Sequence, residues 1–400
     1  MRDRHRGTVR DLRRENRAAV LWSLYLSRPG SRQELSRATG LSAASVTNVI
    51  RELIDEGIVI ETGLAEPEGG RPRAMLGMNP DYGYVIGVDI GETRTRVELF
   101  DLTMTVRATA EYPLDRAAEH DVDVVVGQIV SGLGTVLADS GIGSGAVLGV
   151  GVGVPGIIER GPEVLVHGQA YGWDAVPLGR LLRVHTDLPL RFDNGAKTMG
   201  QAELWFGAGR GARNAVMVLI GSGVGASLIA GGATYQGATS SAGEFGHVTV
   251  AVGGRECRCG AAGCLEAYAG AAAILERYGR PVTANDQELA LAELIGAAST
   301  SARAAAILDE TASYLGAGLG TLINLFNPDR IILGGWAGLQ LGARLLPEIR
   351  QSAQRHSLRH LYAATSIELG QLGPGAVAMG AATLPVETFL NGVARARANA

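Results

Sequence analysis

Three cysteines lie close together in this 400-residue chain, Cys257, Cys259 and Cys264, and there are no others. His247 precedes the first of them by ten residues. Three thiolates and one imidazole make a full tetrahedral ligand set for zinc. With no open position left for a substrate, the ion would be structural. Gly253, Gly254, Gly260 and Gly263 are interleaved with these residues, and glycine lets a backbone fold tightly around an ion. The alternatives are three buried thiols acting as small apolar groups, or a disulfide. The clustering of every cysteine favours the metal, and an odd count without a secretory signal argues against a disulfide.

From Gly243 to Glu266 the chain reads GEFGHVTVAVGGRECRCGAAGCLE. This resembles the signature of the ROK family (repressors, open reading frames and sugar kinases), in which E-x-G-H is followed by C-x-C-G-x-x-G-C-L-E. Glu244, Gly246, His247, Cys257, Cys259, Gly260, Gly263, Cys264, Leu265 and Glu266 all match. The resemblance implies an α/β fold, the actin-like (ribonuclease H-like) two-lobed sugar kinase fold. It also implies that Glu244, His247 and Glu266 face a sugar, on a loop held by zinc.

The kinase chemistry of that family needs phosphate loops and a base. Asp89, Gly91 and Thr93 fit its first loop, D-x-G-G-T, but Glu92 replaces the second glycine. A carboxylate there is expected to oppose a polyphosphate by bulk and repulsion. Leu148 to Pro155 resembles a second phosphate-side segment, although close backbone packing gives the same glycine-rich composition. Gly221-Ser222-Gly223-Val224-Gly225 resembles the loop that faces a γ-phosphate. In Phe192 to Gly211, aligned on its tail, Asn194 matches the sugar-binding asparagine, Gly195 falls where the kinases carry the catalytic aspartate, and Lys197 replaces a second asparagine. Phosphoryl transfer to a hydroxyl needs a carboxylate in reach of the proton. Gly195 has none, and Asp193 is two residues away. The sugar-binding set is therefore Asn194, Glu244, His247 and Glu266, with no catalytic residue.

The elements ahead of this region have their own logic. Asn16 to Leu26 has helical apolar spacing. Ser31 with Glu34 forms a capping box for a short helix, Gly40 permits a turn, and Ser42 caps a helix bearing Val46, Val49, Ile50, Leu53 and Ile54 on one face. Gly57 ends that helix and Ile58 to Ile60 reads as a strand. This order is that of a winged helix-turn-helix. Its exposed recognition face would offer Ser42, Ala43, Ser45, Thr47, Asn48 and Arg51 to bases and phosphates. After the strand, Arg71 and Arg73 on a glycine-rich stretch either reach a minor groove or form a solvated linker. The expected division is 1–74 for the DNA-binding domain and linker, and 75–400 for the effector domain, with lobes near 75–190 and 191–400.

Charge supports this division. Met1 to Arg73 carries a net +3, leaving −7 for the rest of a chain whose total is −4; a basic end on an acidic body suits a polyanion partner. No apolar leader and no run long enough to span a bilayer is read, so a cytoplasmic, membrane-free location is expected. Together these observations predict a sugar-responsive regulator, a repressor of carbohydrate genes, built on a kinase scaffold without kinase activity. Its expected partners are operator DNA, a sugar or sugar derivative, and further copies of itself in a homodimer or homotetramer. The rival readings are an ATP-dependent sugar kinase with an appended DNA-binding domain, and a DNA-binding protein whose cleft is vestigial.

Overall fold

The computed structural model of the chain describes residues 9–27, 29–65, 73–114, 121–280 and 286–392. The first eight residues, Arg71 and the last eight residues lie outside them.

The N-terminal head contains α1 (Val9–Ser27), β1 (Gly30–Ser31), α2 (Arg32–Thr39), α3 (Ala43–Asp55), β2 (Val59–Ala65) and β3 (Arg73–Met78). The capping box forms as read: Ser31 accepts from the Glu34 amide at 3.3 Å, and its own amide donates to Glu34 at 2.7 Å. Gly40, at φ 72°, ends α2 in the left-handed region. Ser42 caps α3, whose Val46, Val49, Ile50 and Leu53 are buried. The three strands pair antiparallel in the order β1-β3-β2.

The first lobe follows with β4 (Tyr84–Ile90), β5 (Arg94–Asp101), β6 (Val106–Pro113), α4 (Val122–Ser140), β7 (Val147–Val154), β8 (Ile157–Arg160), β9 (Val164–Gly168), β10 (Trp173–Val176), α5 (Leu178–Arg183) and β11 (Leu190–Asn194). Then α6 (Gly195–Phe206) crosses to the second lobe. That lobe holds β12 (Ala215–Ile220), β13 (Val224–Ala230), β14 (Ala233–Thr234), α7 (Glu266–Ala269), α8 (Ala271–Tyr278), α9 (Gln287–Ala297), α10 (Ala302–Phe326), β15 (Arg330–Gly334), α11 (Trp336–Arg355), α12 (Arg359–Ala364) and β16 (Ser366–Leu369). The last helix, α13 (Ala376–Leu390), returns to pack on β4, β7 and α6.

The two main sheets repeat one pattern. Each begins with two antiparallel hairpins and continues with two parallel strands, in the orders β11-β7-β4-β5-β6 and β14-β13-β12-β15-β16. The turns between β4 and β5 and between β12 and β13 are therefore equivalent, and they are the two loops read above as phosphate-facing. The glycine-rich β7 has a packing cause: a Cβ on Gly151 would lie 1.8 Å from the Ala381 carbonyl oxygen, and one on Gly87 1.9 Å from that of Ala378. Helix α13 rides on these strands at backbone distance, so only glycine fits.

β11 carries the first lobe's sheet to Asn194, close to the approximate boundary expected, and α13 adds a C-terminal segment that packs on it. One expectation changes. One described helix, α4, is long and apolar enough to cross a membrane, where no such run was read. Its Val125, Val126, Ile129, Leu133 and Val136 are buried in the core of the first lobe, which accounts for its composition.

Candidate functional site

The four metal-ligand candidates converge. One ligand atom from each of His247, Cys257, Cys259 and Cys264 lies within 4.8 Å of every other. Cys259 and Cys264 Sγ are 3.7 Å apart, and Cys257 Sγ is 3.7 Å from His247 Nδ1. A tetrahedron built on zinc–sulfur bonds of about 2.3 Å has edges of about 3.8 Å, so the donor set fits. Burial pushes the Cys257 thiol up to about 12, so a cation is what would make it a thiolate here. The loop is tied down on both sides. The Cys257 amide donates to Ala261 O at 2.8 Å, and the Arg255 amide donates to the Tyr268 hydroxyl at 2.9 Å. Tyr268 in turn stacks on Tyr314 of α10.

Asn194 ends β11 and caps α6. Its Oδ1 accepts from the amides of Ala196 and Lys197 at 2.8 and 3.3 Å, and its Nδ2 donates to Gly156 O at 2.7 Å. The next residue, Gly195, opens the helix; a Cβ there would meet nothing nearer than 3.7 Å. Packing therefore leaves room for a side chain where the kinases place a base. Asp193 is no substitute: one oxygen accepts from the Asn194 amide at 2.9 Å and the other pairs with Arg160 at 3.3 Å.

Lys197, the chain's one lysine, is buried, and its Nζ donates to Gln236 Oε1 at 2.9 Å and to Ser240 O at 2.6 Å. It thus ties the loop that leads to Glu244 onto α6. Burial holds its pKa below the ordinary lysine value. Glu244 is exposed beside His247, Lys197 and Glu266. The protein packed around its carboxyl raises its pKa, against the pull of His247 and Lys197.

Glu266 is buried, and both of its oxygens are hydrogen-bonded. Oε2 accepts from the Val224 amide at 3.0 Å, and Arg258 donates to both oxygens, at 2.7 and 3.1 Å. Burial alone would raise its pKa, but Arg258 holds it below the usual carboxylate range. Arg258, which stands between Cys257 and Cys259, reaches further. Its Nη1 and Nη2 donate to the two oxygens of Glu92 at 2.6 and 2.9 Å. Glu92 is therefore not the lone negative charge that the sequence suggested. Its carboxylate is neutralised in a bidentate pair, so charge repulsion does not account for its place in the loop. Sequence reasoning missed Arg258 because one of its two partners, Glu92, lies 166 residues away, although the other, Glu266, is only eight residues on. The only local signal was a cation inside a metal loop.

In the head, Ser42, Ala43, Asn48 and Arg51 are exposed, and Ser45 and Thr47 half-buried. Ser42 is occupied as a cap for the Ser45 amide at 3.1 Å, and Thr47 Oγ1 donates to Ala43 O at 2.7 Å, so neither hydroxyl is wholly free for bases. Asn48, Ser45 and Arg51 line a groove with Leu12, Arg13 and Asn16 of α1. Arg73 is exposed at the start of β3, while Arg71 lies outside the described residues.

Comparison with known proteins divides at the head. The model of the ROK family matches residues 85–387. The xylose repressor of Caldicellulosiruptor bescii is 29% identical over 392 residues, covering 95% of this chain and 97% of its own length. A crystal structure of a ROK family transcriptional regulator, a homologue of the E. coli MLC protein, superposes with a TM-score of 0.77 at 25% identity, covering 96% of this chain and 98% of that one. A ROK family glucokinase from Streptomyces griseus, solved with glucose and AMPPNP, superposes with a TM-score of 0.64 at 27% identity. It covers 99% of its own chain but 76% of this one.

Proposed function

The chain belongs to the ROK family, and on that premise we propose that it is a sugar-responsive transcriptional repressor of carbohydrate genes, acting in the cytoplasm on operator DNA. One observation carries the reading: similarity to a repressor runs through the head, whereas the matched kinase accounts for 76% of the chain. The head acts as a winged helix-turn-helix, with α3 presenting Ser42, Ala43, Ser45, Thr47, Asn48 and Arg51 to the major groove and Arg71 and Arg73 lying on the wing. Asn194, Glu244, His247 and Glu266 bind the sugar, and a structural zinc held by His247, Cys257, Cys259 and Cys264 fixes the loop that carries three of them. The protein works as a homodimer or homotetramer, which a palindromic operator would mirror.

The kinase reading is disfavoured by the site itself. Gly195 has no proton acceptor, and Asp193 is committed to Arg160 and the Asn194 amide. Operator binding by the full chain, titrated with a panel of sugars, tests the proposal. A member of the panel should change operator affinity by about 1–3 kcal/mol of coupling, with ADP release at background throughout. An operator affinity that no sugar moves, or sugar phosphorylation at an enzymatic rate, would overturn it.

A further inference from the structure

The phosphate half of the cleft is built differently from its sugar half. Arg258 lies on the second phosphate loop so closely that a Cβ on Gly223 would fall 2.2 Å from its Nη2. Across the cleft the same guanidinium holds both oxygens of Glu92, in the first phosphate loop. Ser222, whose hydroxyl stands in the loop that resembles a γ-phosphate cradle, instead donates to Gln287 Oε1 at 2.7 Å, and both residues are buried. A second cross-lobe ion pair closes the same side: Arg94 of β5 donates to Glu288 of α9. That carboxylate belongs to the residue next to Gln287.

From this geometry we infer that the protein's own side chains fill the phosphate side of the cleft and clasp the two lobes there, so that neither lobe closure nor effector binding involves a nucleotide. Arg258 and Glu92 are the specificity-determining pair, with Arg94–Glu288 as the second tie. The Glu92 carboxylate stands where a polyphosphate would approach, already paired with the cation that such a ligand would need. A bidentate arginine–carboxylate pair is planar and directional, so it fixes the spacing of the two loops as well as their charge. On the sugar half, Glu244 is exposed. The clasp deepens the effector-site reading given above, but its test needs neither a sugar nor DNA. Failure of the clasp would leave the repressor reading standing, and the reverse also holds.

The experiment is amide hydrogen exchange on the full-length protein, wild type and Glu92→Gln/Arg94→Gln, each with and without millimolar Mg·ATP. Both substituted side chains lie at the cleft edge and are partly exposed, and the amides of Val216 to Val218 in the second-lobe core serve as an internal control for folding. The double variant should exchange about tenfold faster at residues 91–94 and 221–225 with the core control unchanged. Mg·ATP should leave wild-type exchange as it was. Wild-type rates in the variant, or protection of either loop of the wild-type protein by Mg·ATP, would overturn the inference. If the core control moves in the double variant, Glu92→Gln and Arg94→Gln are read singly by the same two criteria.

Discussion

Trp22 of the head and Trp205 of α6 meet edge to face, with ring centroids 5.1 Å apart and planes at 88°. The same helix is capped at its other end by Asn194 in the cleft. Twelve residues of helix, about 18 Å, therefore join the proposed sugar site to the DNA-binding module. Tyr25 adds a second edge contact to Trp205 at 6.0 Å, and Val386 and Phe389 of α13 complete a core shared by head and lobes. The head is docked on the body through a packed interface, so a shift of α6 moves it as a unit.

If α6 is the route, loosening its far end should blunt the response without touching the DNA surface. Trp22→Ala removes the aromatic pair and the bond from Nε1 to Asn391 Oδ1 at 2.9 Å. Such a pair is worth about 0.5–1.5 kcal/mol beyond its buried area, a large share of a coupling of about 1–3 kcal/mol. The ratio of operator affinities with and without sugar should shrink by roughly fivefold, with sugar-free affinity nearly unchanged. Fluorescence anisotropy with a labelled operator measures both; a full response in the variant removes Trp22 from the route.

The metal loop makes a separate prediction. Cys264→Ser takes one ligand from a closed set, and the loop's remaining ties are the Tyr268–Tyr314 stack, a few backbone hydrogen bonds and the Arg258 ion pairs. Metal analysis should give about one zinc per wild-type chain and far less for the variant, with a loss of stability of about 4 kcal/mol or more. Because Glu266 and Arg258 sit beside the ligands, sugar affinity should fall with the metal. Retention of zinc and melting temperature by the variant would contradict a closed four-ligand site.

What could be read in advance was local. The convergence of His247 with the three cysteines is a matter of residue type and spacing, and the Ser31–Glu34 box and the Ser42 cap each act within three residues, so all three were visible in the linear chain. The Arg258–Glu92 pair spans 166 residues; read alone, Glu92 looked like an unpartnered charge, and the repulsion argument built on it failed for that reason. The amphipathic spacing of α1 was legible, but periodicity does not say what a face packs on, so the docking of Trp22 on Trp205 was not. The glycines of β7 were ambiguous for a related reason: backbone approach and ligand approach select the same residue, and here α13 is what approaches.

Asp89 should make stability depend on pH. Burial pushes its carboxyl up to about 7 from an ordinary 3.8, with Arg96 opposing and Glu98 assisting. Between those values the folded protein keeps a proton that the unfolded chain has lost, so the site costs stability as pH rises from about 4 to 7, and the cost is complete above that. The full displacement corresponds to at most about 4 kcal/mol, and the residue's partial exposure lowers it. Asp89→Asn should melt higher than wild type at pH 8 and equally at pH 4. Equal melting at both would show that the carboxyl ionises normally.

Restoring the missing carboxylate should stabilise the protein without reviving chemistry. Gly195 is the first residue of α6, and a Cβ there has 3.7 Å of clearance. Gly195→Asp removes a flexible residue from a helix and places an anion at its positive end, a gain of about 1 kcal/mol from the two effects together. The new carboxylate would be in position to accept a proton from a bound hydroxyl. The phosphate side, however, remains occupied by the Arg258–Glu92 pair, and Ser222 remains bonded to Gln287. A base with no phosphoryl donor in reach gives no turnover. The variant should melt slightly higher than wild type and release ADP at background in a coupled assay, with or without sugar. Turnover in Gly195→Asp alone would mean that Mg·ATP displaces the clasp, and that loss of the base by itself silenced the kinase.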